Sequence, residues 1–261
     1  AADPHNLIWI MPAKGSGWPE RSWFAKPFLS QGRLCCIWKE VLQIGRQVLH
    51  LITDVKKEPE AALGNLMAAL EGGVDWLQIR DKTASALDLY RFGRRLLPIA
   101  ARHHAGVLIN DRVDVALALP VQGVHLARKS LPADQVRRIL GHGQLMGVSV
   151  HRLEEAVEAE QEGADYVTFG HVFPTPSKPG LPHRGLEPLR SVVESVNIPV
   201  LAIGGIQSTN VSEVLATGCA GVVVISAIER ADDVKRAASE LKNAMLRCGA
   251  TPKIPFPERG S

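Results

Sequence analysis

Residues 74–110 read VDWLQIRDKTASALDLYRFGRRLLPIAARHHAGVLIN, and the reading of this stretch decides the fold. A short apolar run, Val74–Ile79, gives way to an amphipathic stretch that returns to a second apolar run at Val107–Asn110. Within the amphipathic part, Ala86, Tyr90, Gly93, Leu97 and Ala100 recur at helical spacing, with Asp88, Arg91, Arg94 and Arg95 on the other faces. The apolar runs are continuous rather than alternating, as in parallel strands covered on both sides. The stretch therefore reads as strand, helix, parallel strand.

The same alternation extends in both directions. Further runs stand at Val48–Thr53, Gly123–Leu126, Met146–Val150, Tyr166–Gly170, Val200–Gly204 and Val222–Ser226, which makes eight. Helices are expected at Val113–Leu119, Ala133–Leu140, Leu153–Glu162, Leu186–Ser195, Asn210–Thr217 and Ala231–Leu246. Glycines at 72–73, 106, 163 and 218 fit helix C-caps that turn the chain back toward a strand. Eight such units between 47 and 248 predict an α/β protein, a single (βα)8 TIM barrel with parallel strands. An open doubly wound sheet would not need the eighth strand and would usually carry GxGxxG after its first strand, which is not found.

Outside the barrel, residues 1–46 form a leader extension and 249–261 a tail. Four of the five tryptophans (Trp9, Trp18, Trp23, Trp38) lie in the leader, without a period of 2 or 3.6. Both ends are expected to be loosely ordered, the alternative being a tryptophan-bearing segment that covers the barrel or binds a partner. The apolar run Leu7–Met11 is too short, and lacks the basic start, for a signal peptide.

Among the 261 residues, 46% are hydrophobic and 22% charged, and the net charge is only +3. That balance points to neither nucleic acid nor a membrane surface as partner. No apolar run approaches the roughly 20 residues that span a bilayer. Cys35, Cys36, Cys219 and Cys248 lack metal-ligand spacing and suggest a reducing, cytoplasmic setting. A homo-oligomer is left open.

In a barrel of this kind the chemistry stands at the carboxyl ends of the strands. After the second run come Gln78, Arg80 and Lys82; the two cations suit a phosphate or diphosphate, the bland alternative being an ion pair with Asp81 or Asp54. Asn110 and Asp111 end the third run, either as helix caps or with Asp111 as a cation ligand. Ser149 and His151 end the fifth. His151 fits a helix start, whereas His171 follows a strand-ending glycine and opens a loop, Val172–Gly185, that carries Thr175, Ser177, Lys178 and Arg184. An imidazole there is a candidate acid/base. Gly204 and Gly205 after the seventh run, with Ile225 and Ser226 after the eighth, suit a phosphate cradle of backbone N–H groups.

Taken in this order, several of these segments resemble the thiamine phosphate synthase / thiazole tautomerase superfamily. The carriers are Gln78-Ile79-Arg80-Asp81-Lys82, Ile109-Asn110-Asp111-Arg112, Gly123-Val124-His125-Leu126, Gly147-Val148-Ser149, Thr175-Pro176-Ser177-Lys178, Ala202-Ile203-Gly204-Gly205-Ile206 and Ile225-Ser226. In the synthase branch two aspartates hold Mg²⁺; the first corresponds to Asp111, but Ser130 stands in the place of the second. The synthase also usually has proline where this chain has His171. That histidine, and the run Ser149–Ala156, are similar to the tautomerase branch, which the chain is therefore expected to join.

The resemblance implies an isomerase that aromatises a carboxylated dihydrothiazole phosphate, with no cofactor. His171 would carry the proton, Gly204, Gly205, Ile225 and Ser226 would hold the phosphate, and Lys178 and Arg80 would hold the carboxylate. Gln78, Lys82, Asn110, Ser149 and Thr175 would line the mouth. Two alternatives remain at this point. One is a thiamine phosphate synthase coupling a thiazole phosphate to hydroxymethylpyrimidine diphosphate, with Mg²⁺ on Asp111. The other is a non-catalytic barrel that binds a phosphorylated ligand.

Overall fold

The computed structural model describes residues 47–54, 59–127 and 129–257. The expected leader, 1–46, lies outside them. The strands are β1 (Val48–Asp54), β2 (Trp76–Arg80), β3 (Gly106–Asn110), β4 (Gly123–Leu126), β5 (Leu145–Val150), β6 (Tyr166–Gly170), β7 (Val200–Ile203) and β8 (Gly221–Val224). They close into one parallel barrel in chain order, with β8 bonded back to β1. The helices α1 (Pro59–Glu71), α2 (Ala86–Arg102), α3 (Val113–Ala118), α4 (Ala133–Leu140), α5 (Leu153–Gln161), α6 (Leu186–Ser195) and α7 (Val211–Leu215) alternate with the strands. A short α8 (Ser226–Glu229) follows β8 and precedes α9 (Val234–Cys248). The fold expected from the sequence is the fold found.

Why the runs are apolar on both faces is visible in the packing. Residues such as Leu49, Leu51, Leu77, Ile79, Val107, Ile109 and Phe169 face the helices and merge with Leu66, Leu96, Leu189 and Leu241 into one core. Each such side chain is worth about 1.5–3 kcal/mol on burial. Their neighbours in the strands, including Ile52, Trp76, Leu108, Tyr166, Leu201 and Val223, fill the barrel interior with Phe256.

Two helices were not foreseen, α1 and α8. In α1, Ala61, Gly64 and Met67 lie on the solvent side, so no polar face marks the helix period. The second strand begins at Trp76 rather than at Val74 because Asp75 is an anchor at the lower rim. Its carboxylate accepts the Leu49 N–H at 2.8 Å and pairs with the buried Lys242 of α9.

The tail is not loose as far as residue 257. After α9 ends at Gly249, which adopts a left-handed φ of 65°, the chain turns to cross the amino-terminal end of the barrel. Lys253 Nζ donates to the carbonyls of Val193, Glu194 and Val196 at the end of α6, at 3.0, 2.8 and 3.1 Å. That is where a cation complements the helix dipole. Phe256 is buried edge-on against Trp76 and Tyr166, with ring centroids 5.1 and 4.9 Å away.

Candidate active site

The carboxyl ends of the strands gather most of the residues expected there. Gln78 of β2 is fully buried, and its Nε2 donates to Asn110 Oδ1 at 2.6 Å. Asn110 in turn donates through Nδ2 to Asp111 Oδ2 at 2.5 Å. Asp111 sits just past β3 with a left-handed φ of 59°, which aims its carboxylate across the mouth toward the end of β4. There its Oδ1 accepts the Ala127 N–H at 2.9 Å and the hydroxyl of Ser130. Gln78, Asn110, Asp111 and Ser130 thus form one hydrogen-bonded arc. Among the described residues, Gln78 Oε1 is buried without a hydrogen-bond partner. Arg80 is half-buried at the rim, and Lys82 is exposed beyond it.

On the other side of the mouth, β6 ends at Gly170 and the loop 171–185 folds back over it. His171 is 5% exposed, and its Nε2 donates to the Leu181 carbonyl at 3.3 Å. The backbone bonds Arg184 N–H to His171 carbonyl (2.9 Å) and Gly185 N–H to Val172 carbonyl (3.0 Å) close the loop at its base. Lys178 N–H to Thr175 carbonyl (3.1 Å) shapes its tip. Burial, then the charge of Arg184, lowers the Lys178 ammonium from its usual range. His151 donates through Nδ1 to the Gly170 carbonyl at 2.6 Å. Its imidazole is lowered chiefly by burial, with Lys178 and Arg184 pushing the same way. The loop therefore brings Lys178, Arg184 and His151 into one electropositive corner.

Gly204 and Gly205 have φ of 104° and 70°, the region that favours glycine. A Cβ at 204 would sit 2.2 Å from His171 Cβ, and one at 205 would sit 2.5 Å from the Pro174 carbonyl. Both glycines let the turn after β7 pass under the loop. Beside it, Ile225 caps α8, and the first N–H groups of that helix have no partner within it.

Beneath the mouth lies a set the strand-end reading missed. His125 of β4, Thr168 and Tyr166 of β6 are buried inside the barrel, where His125 and Thr168 meet Ser149 of β5 and Tyr166 meets His125. His125 is pushed down to about 4 by burial, with Asp111 acting in the opposite sense. A separate cleft of about 580 Å³, lined by Tyr90, Arg94, Leu97, Pro98 and Gln122, opens beside the amino ends of β3 and β4, away from these groups.

The sequence and the fold are shared with known proteins. The family model for thiamine monophosphate synthase matches residues 49–228. The chain belongs to the thiamine monophosphate synthase family. Among relatives of that family, the thiamine-phosphate synthase of Roseiflexus sp. (strain RS-1) is 44% identical over 199 residues, 76% of this chain and 84% of that protein. The thiamine-phosphate synthase of Pyrococcus furiosus is 44% identical over 194 residues, 74% of this chain and 92% of that one. A solved structure, the thiamine phosphate pyrophosphorylase from Pyrococcus furiosus, superposes with a TM-score of 0.70 at 42% identity, over 78% of this chain and 97% of that chain.

These findings correct the expected branch. The relatives that share this much sequence are named synthases, so the thiazole tautomerase and isomerase assignments are withdrawn. The two residues that carried them have local work in the structure. Ser130 is tied to Asp111, and the His171 imidazole is tied to the loop carbonyl of Leu181, where it braces the loop.

Proposed function

We propose that this chain is a thiamine-phosphate synthase, joining a thiazole phosphate to hydroxymethylpyrimidine diphosphate with release of pyrophosphate. The observation that carries the reading is the 44% identity to the Roseiflexus synthase across 84% of its length. The mouth is consistent with it, because it offers separate positions for two phosphorylated reactants.

In this reading the diphosphate lies against Arg80, Lys82 and Lys178, whose donors meet the negative charge that builds as the carbon–oxygen bond breaks. The pyrimidine-methyl carbon left electron-poor is attacked by the thiazole nitrogen, whose lone pair becomes the new carbon–nitrogen bond. The thiazole phosphate rests on the N–H groups of the Gly204–Gly205 turn and of the start of α8, with the Ser226 hydroxyl. Asn110 orients the pyrimidine, and Gln78 holds Asn110 from beneath. Ser149 and Thr175 line the pocket between the reactants. His171 keeps the loop that carries Thr175 and Lys178 in place.

The donor set fits Mg²⁺ delivered with the diphosphate. Mg²⁺ is commonly held by one or two carboxylates, with substrate phosphates and water completing its shell. Asp111 supplies one carboxylate, and Ser130 and Asn110 supply neutral neighbours. When bound, the ion would neutralise charge on the departing pyrophosphate.

The test is an assay of the purified protein with both reactants, with and without Mg²⁺. Thiamine phosphate and pyrophosphate are expected in equal amounts and only with the metal. Absence of both products at saturating reactants would end the reading.

A further inference from the structure

Behind Ser149 of β5, three polar side chains on the flanking strands β4 and β6 form a line that the coupling reaction leaves without a role. Tyr166 Oη lies 3.0 Å from His125 Nδ1. His125 Nε2 lies 2.9 Å from Ser149 Oγ, and Thr168 Oγ1 stands 3.3 Å from that nitrogen and 3.4 Å from Ser149 Oγ. Tyr166, His125 and Thr168 are at most 2% exposed, while Ser149 is partly buried at the mouth.

The protons of this line follow by elimination. Tyr166 keeps its phenolic proton, since burial raises it well above its usual range. Among the described residues His125 Nδ1 is the partner of that phenol. A proton on Nδ1 would make the phenol oxygen the acceptor and leave the phenol's own buried proton without an acceptor among the described residues, which is costly. A neutral imidazole that accepts at Nδ1 carries its own proton on Nε2. That N–H points at Ser149 Oγ, which the Thr168 hydroxyl also approaches. The serine oxygen is thereby occupied as an acceptor, and its proton is turned toward the mouth.

The phenol is held in place from two sides. A Cβ at Gly147 would lie 2.1 Å from Tyr166 Cζ, so only glycine lets the ring cross under His125. On its other side Phe256 meets the ring edge-on at 72°.

We infer that Tyr166 and His125 are positioning residues which fix Ser149 as a hydrogen-bond donor, so that the pocket selects a substrate presenting an unprotonated acceptor there, such as a diphosphate oxygen or a ring nitrogen. Which substrate atom takes the proton rests on the synthase reading; the direction of the line does not.

The test uses the full chain labelled with ¹⁵N-histidine and two-bond nitrogen–proton correlation spectra. His125 should show a bare Nδ1 and a protonated Nε2 at about pH 8. Tyr166→Phe should convert that signal to a mixture of tautomers. A protonated Nδ1 in the unsubstituted protein overturns the proposal. In the coupling assay, Ser149→Ala and Tyr166→Phe should each lower kcat/KM by roughly 5- to 10-fold. The double variant should lose no more than Ser149→Ala alone, as expected of two groups acting in one line. Losses that multiply overturn the line. If the unsubstituted protein couples nothing, the synthase reading falls, and the nitrogen spectra still decide the tautomer.

Discussion

Lys178 is the residue at which the loop's shape becomes chemistry. Partial burial and the nearby Arg184 both press its ammonium toward neutrality, and a bound anion relieves both effects. Lys178→Ala should therefore lower kcat/KM for the diphosphate reactant by about 100-fold, on the order of 2.7 kcal/mol. Lys178→Arg should recover part of the loss; steady-state kinetics at fixed Mg²⁺ would show it, and unchanged kinetics would remove Lys178 from the site. Residues of this kind were legible because they follow the apolar runs. Arg80, Asn110, Ser149 and Gly204 stand at strand ends, and Lys178 in the loop that follows one, where barrel geometry puts function. His125, Tyr166 and Thr168 were not, because they are inside the runs and share the interior with Leu108 and Leu201. Their signal was available in the two-residue alternation, which puts Thr168 opposite Ser149 and His125 opposite Asn110. His171 pointed to the tautomerase branch, which the synthase relatives overturn. Sequence shows an imidazole beside a site, but not that a carbonyl ten residues on already holds it.

Among the elements, the strand–helix alternation could be read because each run keeps its apolar residues within a few consecutive positions. The segment after α9 could not, because its contacts are all distant in sequence. Phe256 meets Trp76 and Tyr166, and Lys253 meets the end of α6. Phe256→Ala should cost about 3–5 kcal/mol, the range for emptying a buried aromatic site. Denaturant unfolding would measure it; a loss under about 1 kcal/mol would show that the barrel floor closes without this ring. The same segment supports Tyr166, so the variant should also disturb the His125 nitrogen signals.

For the molecule as a whole, the barrel interior sets a pH limit. His50 is pushed down to about 3 by burial and then by His125, and His125 itself to about 4. Above about pH 6.5 these imidazoles are neutral in both folded and unfolded chains and cost nothing. Below it the unfolded chain takes up protons that the folded barrel refuses. Stability should then fall by about 1.4 kcal/mol per pH unit for each imidazole, until the pH nears their folded values. Urea midpoints measured at about pH 7 and about pH 5 should differ accordingly, and His50→Phe should flatten the slope. A midpoint that does not move between those values would mean that one or both rings are charged inside. The Trp76, Tyr166 and Phe256 cluster has a further result for turnover. With the lower end stoppered, the synthase reading leaves both substrates and both products a single doorway, at the carboxyl ends of the strands.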